Sequence, residues 1–208
     1  MNTLIFKTND PKALFRGQQI LQAGGVIAFP TDTVYGLGCL VNEASSIDRL
    51  FEIKGRDTNK AIAVLIGNVD DLTRVTVGLG DNARRLAEKF WPGALTLVVP
   101  RSPDLPANLS PLPTIGVRMP NHAFTQALLQ YTGPLATTSA NISGQPSPVT
   151  AQDVLDQLKD RVDLVLDGGA SPGGVPSTVV DCLGPEPRIL REGAITREML
   201  EQVLGRIF

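Results

Sequence analysis

The chain has 208 residues, 42% of them apolar, and a formal net charge of −2. That length can bury a core without covalent staples, and the charge balance excludes a surface given over wholly to nucleic acid while leaving room for a local basic cleft. Cys39 and Cys182 lie far apart in apolar settings and read as buried free thiols, and a lone histidine, His122, leaves no ligand set for a Cys/His metal site.

No apolar run approaches the roughly 20 residues that a membrane span needs. The opening "MNTLIFKTND" lacks a basic region followed by a long apolar stretch. A secretory leader is therefore not expected, and a cytoplasmic, reduced setting is. Residues 11–24 have helical spacing (Ala13, Leu14, Ile20, Leu21) and stop at Gly24-Gly25. Val26–Phe29 reads as a buried strand. Residues 45–54 read as a helix through Ile47, Leu50 and Phe51, and "AIAVLI" from Ala61 as a strand. Asp81 is the expected cap of a helix with face Ala83, Leu86, Ala87 and Phe90, ended by Pro92-Gly93. Leu95–Val99 is a strand, proline-rich 101–114 a loop, and Ile115–Arg118 a short strand. Phe124, Leu128 and Tyr131 mark a helix, and Leu135–Thr138 a strand. Thr150 with Asp153 signals a helix start, with Val154, Leu155 and Leu158 behind it. Strands follow at 164–166, 178–181 and 188–190. Thr196 caps a last helix with Met199, Leu200, Val203 and Ile207 facing inward.

Helices and strands thus alternate irregularly, and some strands follow one another directly. The expected fold is mixed α/β, α+β in strict terms, with helices packed on a mixed twisted sheet. With no linker, repeat or low-complexity segment, residues 1–208 are expected to form a single domain; "GGASPGGVPS" (168–177) reads as a loop inside it.

Neither a Gly-x4-Gly-Lys-Ser/Thr loop nor Gly-x-Gly-x-x-Gly is present. A Ser-His-Asp triad would have to use His122, which opens a helix-like stretch. Four other segments carry candidate chemistry. In "FPTDTVYGLG" a strand opens into Thr31, Asp32, Thr33 and Tyr35 with Gly36 and Gly38. Strand ends of open sheets bind ligands, although a tight turn would use the same residues. "KGRDTNK" sets Lys54, Arg56 and Lys60 just past a helix end, where cations either answer the helix dipole or clamp an anion. "TIGVRMP" ends an apolar strand in Arg118, which needs a counter-anion or a ligand. "TTSANISG" ends another strand in Ser139, Asn141 and Ser143, and "PSTVV" and "ILREG" add Ser177 and Arg191. Together these residues describe a cleft for an anionic, polar small molecule.

The stretches "FPTDTVYGLG", Lys54-Gly55-Arg56, "WPGALTLVV", "IGVRMP", "TTSANISG", "STVVD" and "ILREGAI" run in one order over nearly the whole chain. In them the sequence resembles the YrdC family, the threonylcarbamoyl-AMP synthases. The resemblance implies a three-layer fold, helices around a mixed twisted sheet with a large concave cavity. It implies a nucleotidyltransferase that condenses L-threonine, bicarbonate and ATP into threonylcarbamoyl-AMP and pyrophosphate. It also implies magnesium accompanying ATP, no protein-held metal, and downstream proteins that transfer the threonylcarbamoyl group to tRNA adenosine. Carried onto this sequence, the family pattern gives Lys54 and Arg56 catalytic roles. It assigns Thr33, Arg118, Ser139 and Ser177 to L-threonine, with Arg118 on the carboxylate. Arg56, Lys60, Thr114, Asn141, Val149 and Arg191 are assigned to ATP.

The chain departs from that pattern at Asp57, where many members have proline, and at Leu65, where some have a histidine touching threonine. It resembles the short form of the family, without the extra C-terminal domain. Two alternatives stay open: a paralogue that binds double-stranded or ribosomal RNA, and an acyl- or carbamoyl-adenylate synthase for a different acceptor; even on the synthase reading a weak RNA contact stays open.

Overall fold

A computed structural model describes residues 2–208. In chain order its elements are β1 (Leu4–Lys7), α1 (Ala13–Gln22), β2 (Ile27–Phe29), β3 (Gly36–Leu40), α2 (Ala44–Lys54), β4 (Ala63–Leu65), α3 (Leu72–Val75), α4 (Asp81–Phe90), β5 (Leu95–Pro100), β6 (Thr114–Arg118), α5 (Ala123–Thr132), β7 (Leu135–Ser139), α6 (Ala151–Leu158), β8 (Leu164–Asp167), β9 (Thr178–Asp181), β10 (Arg188–Arg191) and α7 (Arg197–Leu204). The strands form one mixed sheet in the order β1-β8-β2-β3-β7-β4-β6-β5-β9-β10. Among the described residues no helix is long and apolar enough to cross a membrane.

Side chains alternate across a strand, and here the two faces have different fates. On one face Val64, Leu95, Leu97, Val99, Ile115, Val117, Ala136 and Val180 join a core with Leu50 of α2, Leu86 of α4, Val154 of α6 and Leu200 of α7. On the other face Ile27, Phe29, Leu135, Leu164 and Leu166 pack on Ala13 and Leu21 of α1 and Leu128 and Leu129 of α5. The mixed α/β reading therefore holds, with helices on both faces of the sheet. The second helical layer covers the β8-β2-β3-β7 side and reaches Leu65 of β4, whereas β6, β5 and β9 contribute nothing to it on that face.

Some local expectations need correction. The cap of α4 is Gly80, and Asp81 is the first helical residue, where its carboxylate still faces the positive end of the helix dipole. Met199 is 38% exposed, and Ile207 is buried but lies beyond the end of α7. The Thr150–Asp153 capping box is present as read. The strands β1 and β3 were not foreseen. The first is a mostly exposed edge, without the apolar alternation that marks a strand. The second, "GLGCL", looks like a loop by composition. Gly38 sits there because a Cβ would come within 3.0 Å of the Ala136 carbonyl oxygen and 3.1 Å of the Phe29 ring. Gly38→Ala should therefore cost about 1–3 kcal/mol by overpacking, read as a lower midpoint in urea unfolding.

Tyr35, the residue before β3, is fully buried. Its hydroxyl donates to the Gly169 carbonyl at 2.7 Å and accepts from the Gly168 N–H at 3.1 Å. It thereby ties loop 168–177 to the β2–β3 loop. Burial, as the leading cause, raises its pKa. Tyr35→Phe should cost about 1–3 kcal/mol by leaving those partners unsatisfied; an unchanged thermal midpoint would contradict this role.

Candidate functional site

The uncovered face of the sheet is the floor of a cavity of about 310 Å³, within the range of small-molecule sites. The floor comes from alternate strand residues: Ala63 and Leu65 of β4, Thr96 and Val98 of β5, Gly116 and Arg118 of β6, Thr137 and Ser139 of β7, and Val179 of β9. Thr31, Thr33 and Tyr35 form one wall. Arg56 with Ala61 and Ile62 forms another, and Pro176, Ser177 and Arg191 a third.

Arg118 is 6% exposed and anchored at three points. Its Nε donates to the Gly93 carbonyl at 2.9 Å, Nη1 to Thr33 Oγ1 at 2.9 Å, and Nη2 to Asp32 in an ion pair. One N–H on each terminal nitrogen is left over. Burial lowers the Arg118 pKa, and the Asp32 carboxylate opposes that. The Thr33 hydroxyl is set in turn by Thr31, whose Oγ1 lies 3.0 Å away and accepts from the Thr33 N–H at 3.1 Å. The β2–β3 loop therefore supplies both the counter-ion of Arg118 and a hydroxyl beside it.

Arg191 donates from Nε and Nη2 to the Ser177 carbonyl, at 3.1 and 2.8 Å, and from Nη2 to Ser177 Oγ at 3.1 Å. The Ser177 hydroxyl also lies 2.8 Å from Thr96 Oγ1. Arg56 donates to the carbonyls of Lys60 at 3.3 Å and Ala61 at 2.9 Å. Burial lowers the pKa of Arg56 and of Arg191, and the charge of Arg191 further lowers those of Arg56 and Arg118. The charge of Arg191 thus bears on both Arg56 and Arg118, and no aspartate or glutamate lines the cavity. Such a site favours a ligand bearing several negative charges.

Of the residues singled out from sequence, Thr33, Arg56, Arg118, Ser139, Ser177 and Arg191 meet on the cavity, whereas Lys54, Lys60, Thr114, Asn141 and Val149 do not line it. Lys60 is exposed. Thr114 shares the floor face of β6 but lies beyond Gly116. Val149 donates its N–H to Asp153 at 3.0 Å and accepts from the Ser171 N–H at 2.7 Å. Lys54 and Asn141 are buried and bonded to each other. Sequence reasoning missed Thr96 and Ser147. Thr96 had a signal, a lone hydroxyl alternating with leucines in "LTL"; Ser147, in a proline-flanked loop, had none.

Burial pushes both thiols, Cys39 and Cys182, up to about 12, which disfavours the nucleophilic thiolate. His122 caps α5, with Nδ1 3.4 Å from the Thr125 N–H, and does not line the cavity. Among the described residues no group of three or more His, Cys, Asp or Glu could hold a metal.

Comparison with known proteins fits this geometry. The Sua5/YciO/YrdC family profile, described as telomere recombination, matches residues 19–193. The threonylcarbamoyl-AMP synthase of Bacillus subtilis is 40% identical over 96% of this chain and 58% of its own length. A putative threonylcarbamoyl-AMP synthase of Mycobacterium tuberculosis is 39% identical over 98% of this chain and 96% of its own. The crystal structure of Pyrococcus abyssi Sua5 complexed with L-threonine superposes with a TM-score of 0.92 at 35% identity, covering 99% of this chain and 61% of that one. This chain thus spans less than two thirds of two of these relatives and nearly all of the third.

Proposed function

The chain belongs to the Sua5/YciO/YrdC family, and on that premise we propose that it condenses L-threonine, bicarbonate and ATP into threonylcarbamoyl-AMP and pyrophosphate. The observation that carries the reading is the meeting of Arg56, Arg118 and Arg191 with the hydroxyls of Thr33, Ser139 and Ser177 on one cavity free of carboxylates.

The chemistry asks for positioning and charge stabilisation. The threonine amine adds to the bicarbonate carbon, and loss of water leaves a carbamate. A carbamate oxygen then attacks the α-phosphorus of ATP, the bond to the bridging oxygen breaks, and pyrophosphate departs. No covalent enzyme intermediate is needed, and the cavity offers neither cysteine nor histidine. Arg118 is suited to the threonine carboxylate: Asp32 and Thr33 fix its orientation and leave one N–H on each terminal nitrogen. Arg56 and Arg191 are placed to take the negative charge of the phosphates, a role guanidinium groups perform through paired N–H donors. Magnesium enters as part of the Mg–ATP substrate. The product would pass to enzymes that transfer its threonylcarbamoyl group to tRNA.

Pyrophosphate release from ATP, measured with and without L-threonine and bicarbonate, tests the proposal, with the adenylate product checked by mass. Release that requires both co-substrates is expected. Release supported by another amine in place of threonine, or ATP binding without release, would overturn it.

A further inference from the structure

Lys54 and Arg56 stand two residues apart, and the structure sends them in opposite directions. Gly55 adopts a left-handed conformation (φ 56°) after the last turn of α2, with its N–H on the Glu52 carbonyl and the Arg56 N–H on the Phe51 carbonyl. This cap reverses the chain. Arg56 emerges on the cavity wall, whereas Lys54 stays behind, 1% exposed and off the cavity.

The Lys54 ammonium is fully used. It donates to the main-chain carbonyls of Ser139 and Asn141, and to Asn141 Oδ1 at 3.3 Å. Three N–H donors meet three acceptors, so none is left for a phosphate. The Lys54 carbonyl accepts from the Ser143 N–H at 2.8 Å. Asn141 continues the network: Nδ2 donates to the carbonyls of Ile142 at 2.9 Å and Gln145 at 2.7 Å, and Oδ1 also accepts from the Ser139 hydroxyl. Ser139 itself lines the cavity. The contacts join residues 85 and 87 positions apart in sequence, and so hold the Arg56 wall and the Ser139 end of the β7 floor in one arrangement.

We propose that Lys54 is a positioning residue, a buried clamp that works through Asn141 to fix the Ser139 hydroxyl, and not a contact to substrate phosphates. The inference rests on the function proposed above, because it places Ser139 on the threonine side. Burial, and then the neighbouring Arg56, lower the Lys54 pKa to about 7. A clamp and a cavity ligand predict opposite reactivities, because an amine enclosed by three acceptors is shielded from an acylating reagent and one open to the cavity is not.

Two measurements on the full chain decide it. In the first, the wild-type protein is treated with limiting acetic anhydride at pH 8 and mapped by mass spectrometry. Lys54 should label more slowly than exposed Lys60; rapid labelling of Lys54 that Mg–ATP blocks would overturn the proposal. In the second, Lys54→Met, Asn141→Ala and the double variant are compared by calorimetry and steady-state kinetics. Each single change should weaken L-threonine binding and raise its KM by about tenfold or more, as loss of an outer-shell partner does. The double variant should be no worse than the singles, because the two residues act as one unit. Lys54→Met that loses ATP affinity while keeping threonine affinity, or additive losses in the double, would overturn it. Should Lys54→Met fail to fold, the labelling result still decides. A wild-type protein that binds neither substrate would sink the proposed function, and the labelling would still report whether the clamp exists.

Discussion

Arg118→Ala is expected to abolish threonine-dependent turnover and to destabilise the fold as well. Arg118 and Asp32 have side chains 7% and 12% exposed, so truncating one strands the other's charge in a poorly solvated place. Breaking a buried pair in this way costs about 3–5 kcal/mol. The catalytic loss arises separately, from the leftover Arg118 N–H groups and from the Thr33 hydroxyl that Nη1 holds at 2.9 Å. Loss of charge-assisted contacts to the threonine carboxylate, each worth about 1.5–3 kcal/mol, raises the KM for threonine and lowers kcat/KM by about tenfold or more per contact. The double variant Arg118→Ala/Asp32→Asn separates the two effects. Removing the orphaned charge should recover part of the thermal stability and none of the activity. If the double variant regains threonine binding, the carboxylate is held elsewhere and the assignment of Arg118 fails.

Arg56→Ala is expected to remove activity with little effect on stability. The guanidinium is half-buried and bonds the carbonyls of Lys60 and Ala61, which are exposed residues whose oxygens water can satisfy. The unfolding free energy should change by less than about 1 kcal/mol. Turnover should fall by about 100-fold or more, because a guanidinium placed for the phosphates acts most strongly on the charge that moves as pyrophosphate leaves. Single-turnover measurements at saturating ATP read this directly. Unchanged turnover would exclude Arg56 from the phosphate side, and an equally large loss of stability would make it a structural residue like Lys54.

These contrasts show how far the primary structure reads. Segments whose signal is local came through. The helices α1, α2, α4 and α6 were visible from apolar spacing, and the capping box of α6 from Thr150 and Asp153. Of the buried strands, β5 was plain because Leu95, Leu97 and Val99 face the core while Thr96 and Val98 do not. The central strand β3 was not visible: its glycines are selected by the Phe29 ring lying over them, a contact that composition does not encode. The edge strand β1 lacked a pattern because little of it is buried.

For the site, the residue types and the strand ends were legible, and so was the requirement that Arg118 find a counter-anion or a ligand. Which charge does which work was not. Lys54, Arg56 and Lys60 read as one basic cluster. The backbone reversal at Gly55 and the burial of the helix end separate them into a clamp, a cavity residue and an exposed lysine. Asn141 reads as a ligand-binding amide, yet its polar atoms are taken up within its own turn and by Lys54. Caps and periodicity involve neighbours in sequence, and sequence alone determines them. The partner of a buried charge is chosen by which strands become adjacent, so that Asp32 reaches Arg118 across 86 positions and Lys54 reaches Asn141 across 87. Only the tertiary structure decides that, because the cost of burying a charge is settled by whatever the fold places beside it.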